Sequence, residues 1–454
     1  MRRRDFLGVA AAAAAAAPAS GRPNVVIILA DDLGWADVGF HGSEIQTPNI
    51  DRLAGQGGRF QRFYSFPLCS PTRSALMTGR SPMRLGIAYT GVRPFNTYGL
   101  PLEEHLMPQS FQAAGYSTAI VGKWHLGHSH VKYFPNARGF DHAYGHLNGF
   151  IDYYKHTRDG GLDWHRNGQT VHEEGYSTDL LAAEAVRLIE NRDRSRPMFL
   201  YLPFNAPHSP LQAPQALIDK YASIADPKRR AYAAMVEALD QAVGRVLAAM
   251  NQTGMELNTI VFFFSDNGGQ PLEGGRNTPL RGGKNTTFEG GIRVPAILRW
   301  PGSLKPGAVS QVMTVLDLFP TLAAAAGVRP RNKADFDGKN LWSAIRGGGS
   351  RAREDLFFVT ESQYTIWLAI FRREWKLVRE ISRQDGSTRN HLFRIEKDSN
   401  EEENLVDRYP EVVRNLSARI DRWRAQHPFN GVRVSDQPPP GWKVPEQWAE
   451  AAHR

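Results

Sequence analysis

The chain has 454 residues, 41% of them hydrophobic and 22% charged, with a formal net charge of +9. That length buries a large core and fits one large domain joined to a smaller one. A single cysteine excludes an internal disulfide framework, and basic residues scattered along the chain, without a recognisable motif, argue against a nucleic-acid partner.

Taken in chain order, Arg2-Arg3-Arg4-Asp5-Phe6-Leu7 is a basic head. Residues 6–17 form an apolar stretch too short to span a bilayer, and Ala17-Pro18-Ala19 offers small residues for cleavage. Residues 1–19 are therefore expected to be an export signal. The paired arginines before Phe6-Leu7 are of the twin-arginine type, a receptor-read address for proteins exported already folded. The twin-arginine export machinery is then a partner and the product is periplasmic or extracellular. No later apolar run reaches membrane-spanning length, so no stable membrane insertion is expected after cleavage.

Four short apolar runs then follow, each ending in a polar cluster. Residues 25–30 lead into Asp31-Asp32, residues 117–121 into Lys123-Trp124-His125, residues 198–202 into Asn205-Ala206-Pro207-His208, and residues 260–264 into Asp266-Asn267-Gly268-Gly269. Unbroken β-branched and aromatic runs separated by helical segments, such as 178–190 and 232–250, predict central strands of a largely parallel sheet. Ligands in such sheets bind beyond the strand C-termini, so the four clusters are expected to converge on one edge.

Between the first two runs lies Cys69-Ser70-Pro71-Thr72-Arg73. Ser70 is expected to cap a short helix, with Pro71 in its first position and Gly79 ending it. Cys69 and Arg73 then stand about one turn apart at a helix N-terminus, a place that attracts anions. Residues 139–164, rich in aromatics and histidines, are expected to cover a pocket suited to an aryl or a sugar ring. The glycines 347–349 predict an exposed link. Beyond it, candidate strands at 356–360, 366–370, 375–378 and 391–394, followed by a helix over 411–426, predict an antiparallel sheet with a terminal helix. The Pro- and Trp-rich tail after Val434 either wraps the surface or stays loose.

Asp31, Asp32, Asp266 and the side-chain oxygen of Asn267 form an oxygen-only donor set, which suits a hard cation. Calcium is the first assignment and magnesium the alternative, because ligand type does not separate them. Lys123 and His125, two residues apart, share a face if the chain there is extended.

The string Cys-x-Pro-x-Arg resembles the modification signature of the type I sulfatases, in which this cysteine is oxidised to Cα-formylglycine. The likeness runs from about Pro23 to Leu405. It includes the glycine-rich segment around Lys284 and the run from Leu392 to Leu405.

The resemblance implies an α/β fold of the alkaline-phosphatase kind: a large, mostly parallel or mixed sheet flanked by helices, with a smaller C-terminal domain of antiparallel sheet plus helix. Residues 20–350 would be catalytic and 351–454 the C-terminal part. It implies a sulfuric ester hydrolase acting on a sulfated small molecule or glycan, with a formylglycine-generating enzyme as modifying partner.

The metal ligands implied are Asp31, Asp32, Asp266, Asn267 and the modified Cys69. A hydrated formyl group at position 69 would lose a proton readily beside a metal and attack sulfur, with Asp266 helping to take that proton. His208 is the matching position to protonate the leaving oxygen, and His125 to deprotonate the second hydroxyl so that sulfate leaves. Lys123 and Lys284 are assigned to charge stabilisation, and Arg73 to the diol of residue 69. Two alternatives stay open at this point: a phosphonate or phosphate monoester hydrolase of the same superfamily, and a sulfated-glycan-binding relative without turnover.

Overall fold

Long apolar runs form strands when both faces of a sheet are covered. In the computed structural model, which describes residues 21–331, 335–351, 353–427 and 437–453, the four central runs are neighbouring parallel strands. Residues 1–19, expected to be an export signal, lie outside the described residues. Strands Thr259–Ser265, Asn24–Ala30, Met198–Pro203 and Ser117–Lys123 lie side by side in that order, with Ile27 opposite Phe262 on one flank and Tyr201 on the other. His142–His146 adds a fifth parallel strand, after which His165–Arg166 and Gln169–Thr170 pair antiparallel. On the opposite side come Ala296–Arg299, antiparallel, then Gly58–Phe60 and Gly307–Val309. The ten-stranded sheet is thus parallel at its centre and mixed towards its edges.

The period-two alternation of side chains divides the core in two. Ile27, Leu29, Tyr201, Phe262 and Phe264 belong to one layer, covered by Ala75, Leu76 and Met77 of helix Cys69–Thr78 and by Phe111 of helix Met107–Ala113. Val26, Ile28, Leu200, Leu202 and Phe263 belong to the other, packed under helices Ser177–Glu190 and Pro227–Gln252. Each side chain so buried contributes about 1.5–3 kcal/mol. The second helix begins earlier than its apolar periodicity predicts. Asp226 caps it by accepting from the Lys228 amide at 3.0 Å, and Pro227 takes the first position.

The C-terminal strands Leu356–Glu361, Thr365–Arg372, Trp375–Ser382 and Thr388–Arg394 make a separate antiparallel sheet. Helix Pro410–Arg424 lays Leu416, Ile420 and Trp423 against Val359, Leu368, Leu377 and Leu392. The described part of the tail wraps back over the first region: Trp448 is buried and its amide donates to Leu162 O, while His453 donates to Ser129 O, each at 2.9 Å.

One buried ion cluster ties the small sheet to helix Glu289–Ile292 and strand Phe63–Tyr64 of the first region. The Lys376 ammonium, fully buried, lies 2.9 Å from Glu289 and 2.7 Å from Glu401. Glu401 in turn accepts from the Glu289 amide at 2.7 Å, and Tyr64 donates to Glu289 at 3.0 Å. Removing the cation would leave Glu401 without its cation in a dry site and Glu289 with only Arg293, 3.6 Å away. Lys376→Ala is therefore expected to destabilise the protein by roughly 3–5 kcal/mol, read as a lowered urea midpoint. A midpoint unchanged from the parent would show that the cluster holds nothing together.

Candidate active site

Each central strand delivers a polar residue where its hydrogen-bonded ladder ends. Asp31 and Asp32 follow Ala30, Lys123 closes its own strand, and Asp266 and Asn267 follow Ser265. The ends are laced together: Asp31 N donates to Ala206 O and Asp266 N to Ala30 O, both at 3.0 Å. Asp32 has a left-handed backbone, φ 68°, a conformation an L side chain adopts only when its surroundings enforce it. Its amide donates to Asp266 Oδ1 at 3.2 Å and its carboxylate accepts from Asn267 Nδ2 at 2.7 Å.

Helix Cys69–Thr78 enters from the side, with Leu68 at its N-cap and Gly79, φ 68°, at its C-cap. Cys69 is the first helical residue, so Ser70 is not the cap and Pro71 is third rather than first. The Ser70 hydroxyl is instead engaged across the fold. It donates to His125 O at 2.9 Å and accepts from the Val92 amide at 3.1 Å. Cys69 Sγ lies 3.4 Å from Asp31 Oδ1 and 3.6 Å from Asn267 Oδ1. Burial, then Asp266 and Asp31, push its thiol far above the usual range, outweighing Lys123 and Lys284. Unmodified, residue 69 is a protonated thiol at neutral pH.

Three cations answer the three carboxylates. Lys123 Nζ is 2.6 Å from Asp31, Lys284 Nζ is 2.7 Å from Asp32, and Arg73 Nη2 is 2.8 Å from Asp266. Arg73 is fully buried, and its Nη1 donates to Lys123 O at 3.1 Å. It therefore faces the carboxylates from behind. Burial and then Asp31 raise the Asp266 carboxyl to about 6 against the pull of Arg73 and Lys123. Burial also raises Asp32, but Lys284 and His208 overcome it and hold that carboxyl low.

The two histidines arrive on turns. The strand stops at Lys123 and His125 has φ 56°, so the two residues do not share an extended face. His125 Nε2 lies 3.0 Å from the Val92 carbonyl, which can only accept, so Nε2 carries the proton. Its Nδ1 is buried without a partner. Burial, Lys123 and Arg73 keep the ring neutral. Gly149 passes so close that a Cβ there would stand 2.8 Å from the His125 ring. His208 Nδ1 donates to Ser209 O at 2.5 Å, leaving Nε2 towards Asp32 Oδ2 at 3.7 Å. Burial and Lys284 pull it down to about 3 against Asp32.

Ligand atoms of Asp31, Asp32, Cys69 and His208 all lie within 4.8 Å of one another, an arrangement able to hold a metal ion. The carboxylate oxygens and the Asn267 carbonyl beside them suit a hard cation. His208 was not in the ligand set read from the sequence.

A cavity of about 1300 Å³ opens above Cys69, His125, His208 and Lys284. Gly149, Phe150 and Arg158 supply one wall, as the aromatic stretch leads one to expect. Other rings of that stretch turn inward instead: Tyr144 packs edge-on against Trp164, and His156 stacks on Trp164 at 4.5 Å. Sequence reasoning missed Phe150, Arg158 and Tyr153, whose hydroxyl lies 2.7 and 2.8 Å from the carbonyls of Asn205 and His208. Nothing in the local pattern separates them from ordinary loop residues.

Among the described residues, no helix is long and apolar enough to cross a membrane. The family model described as sulfatase matches residues 23–328, and that of the N-sulphoglucosamine sulphohydrolase C-terminal region matches 283–426. Arylsulfatase J of Mus musculus is 34% identical over 93% of this chain and 78% of its own length. N-acetylgalactosamine-6-sulfatase of Mus musculus is 37% identical over 79% and 74%. The crystal structure of Ps i-CgsB in complex with k-i-k-neocarrahexaose superposes with a TM-score of 0.83 at 33% identity, covering 91% of this chain and 95% of that one. With sheet, site and likeness in agreement over most of its length, the chain belongs to the type I sulfatases, enzymes that hydrolyse sulfate esters.

Proposed function

We propose that this sulfatase carries residue 69 as Cα-formylglycine and cleaves sulfate monoesters of aryl or carbohydrate alcohols beside a divalent cation. Calcium is the first choice for that ion and magnesium the second. Asp31, Asp32, Asp266, Asn267 and the modified residue 69 would hold it. The observation that carries the reading is Cys69 Sγ, buried among carboxylates and 3.4 Å from Asp31. A thiol offers a hard cation one soft sulfur, whereas an oxidised side chain bearing oxygens matches the carboxylate set. When present, the hydrated aldehyde and the cation supply an oxygen nucleophile that ionises near neutral pH.

The remaining work falls to the chain itself. Asp266, held 2.8 Å from Arg73 at the end of its strand, is assigned to accept a proton from residue 69. Lys123 and Lys284 face the sulfate oxygens, and Arg73 steadies Asp266 and the diol from behind. His208 is assigned to protonate the leaving alcohol from Nε2. Because the neutral ring donates from Nδ1, Nε2 must first take a proton from solvent as the anionic ester binds beside Asp32. The bare Nδ1 of His125 takes the proton whose loss releases sulfate. The cavity volume supports an alcohol larger than a single ring, in keeping with the oligosaccharide in the Ps i-CgsB complex. We assign residues 20–350 to catalysis and 351–454 to a C-terminal subdomain. Residues 1–19 would direct twin-arginine export to the periplasm or beyond, after a formylglycine-generating enzyme has acted in the cytoplasm.

Sulfate release from 4-nitrophenyl sulfate and a set of sulfated glycans tests the whole. Cys69→Ser is expected to lose about 10³-fold or more in multiple-turnover rate. Mass spectrometry of the peptide spanning residue 69 should find the cysteine converted. Full-speed turnover by the serine variant would end the aldehyde mechanism.

Dialysis against a chelator should abolish activity, with calcium or magnesium restoring it. Asp32→Ala should resist that rescue; a chelated enzyme of undiminished rate would remove the ion from the reaction.

For His208→Ala, kcat should fall about 10²–10⁴-fold on sugar sulfates and less on 4-nitrophenyl sulfate, whose leaving group needs little protonation. An equal loss on both would deny His208 the acid role.

A further inference from the structure

A guanidinium lying flat on an aromatic ring keeps its in-plane N–H groups for an anion at its edge. Arg158 sits over such a ring. Its Cζ is 3.6 Å from the centre of the Phe150 ring, and Phe150 stacks in turn on His208, with centroids 5.6 Å apart and planes 19° from parallel. Phe150 thus touches both the proposed proton donor and a cation.

Asp159 pairs with that cation, 3.1 Å from Nε, while among the described residues the buried Nη1 of Arg158 has no hydrogen-bond partner. Asp163, the other neighbouring acid, is occupied by the amides of Leu147 and Asn148 and by Asn148 Nδ2, at 2.8–2.9 Å. Burial, with a smaller push from Arg93, draws Arg158 below the usual guanidinium range against the pull of Asp159 and Asp163. Among the described residues that line the cavity, Arg158 shares the outer wall with Arg93 and with Arg383, which lies 2.9 Å from Glu361. Arg158 thus places a cation in the outer cavity, on the Phe150–His208 side from which the alcohol would depart.

We infer that Arg158 is the receptor for a second anionic group, a sulfate or a carboxylate, carried on the alcohol portion of the ester, with Phe150 holding receptor and His208 at a fixed spacing. This rests on His208 being the proton donor to the leaving alcohol. The preferred substrate is then a polyanionic ester rather than a simple aryl sulfate. The Arg158 guanidinium pairs with the distant anion while the sulfate to be cleaved sits on Lys123 and Lys284.

The test compares the parent enzyme with Arg158→Gln on phenyl sulfate, on phenyl sulfates bearing a ring carboxylate or a second sulfate, and on mono- and disulfated forms of one disaccharide. Comparing the variants on each ester cancels differences in leaving-group reactivity. Arg158→Gln should lose about tenfold more kcat/KM on the dianionic esters than on the monoanionic ones, mostly through KM. The carboxylate and disulfate members show which anion is read. Arg158→Lys, which keeps the charge without the fork, should lose part of that preference and serves the same purpose if the glutamine variant does not fold. Equal losses on mono- and dianionic esters overturn the receptor. His208→Ala, assayed in parallel, separates this from failure of the acid: an equal loss on sugar and nitrophenyl sulfates would deny that role while leaving the Arg158 comparison readable.

Discussion

The site depends on the pairing of three buried carboxylates with three buried cations. Asp31 with Lys123, Asp32 with Lys284, and Asp266 with Arg73 sit where water is excluded, and a charge left alone there would cost several kcal/mol. No pair belongs to one element. Each joins a strand end to another strand, to the helix of residue 69 or to the glycine-rich loop, so the charges can be satisfied only when the parallel strands are in register. The same pairing makes the site rigid before any substrate arrives, which is the condition for electrostatic catalysis. It also leaves the centre close to neutral. A sulfate ester brings a negative charge into it, and a divalent cation among the oxygen donors would supply the counter-charge.

How legible this was in the sequence depended on the range of the interaction concerned. The four central runs were plain because a strand buried on both faces admits no polar residue until it ends, and the first polar residue marks the site edge. Asp31, Lys123 and Asp266 could be placed for that reason alone. The antiparallel C-terminal strands were legible from their spacing. What the sequence misled on were side chains claimed by distant partners. Ser70 has the residue type of a helix cap, yet Val92 and the His125 carbonyl engage its hydroxyl, and the helix starts at Cys69, ahead of the expected first position at Pro71. His125 looked like the next residue on an extended face, but the turn at φ 56° decides its direction.

Between Phe140 and Trp164 the difficulty was different. Tyr144, Tyr153, Trp164 and Phe150 are alike in composition and neighbourhood, yet the first three enter the core and the fourth faces the cavity. The choice is made by short strand pairings at His142–His146 and His165–Arg166 and by the tail, where Trp448 Nε1 donates to Arg158 O at 3.2 Å. A segment nearly 300 residues away in sequence thus helps fix the wall, and no local pattern carries that information.

The small sheet enters the chemistry from outside the carboxylate centre. Its residues 361–363 and Arg383 line the outer cavity, while Lys376 grips Glu289, five residues after Lys284. One end of this sheet shapes the outer cavity, and the other anchors the segment that carries Lys284. The carboxylates, Cys69 and Arg73 have no ion pair or hydrogen bond to it among those described. Substitutions in its cavity-facing loop can therefore change which alcohol fits without disturbing the three ion pairs, whereas substitutions at Lys376 reach the Lys284–Asp32 pair through the glycine-rich loop. Selection of the ester and cleavage of its sulfate are thereby separated in space within one active site.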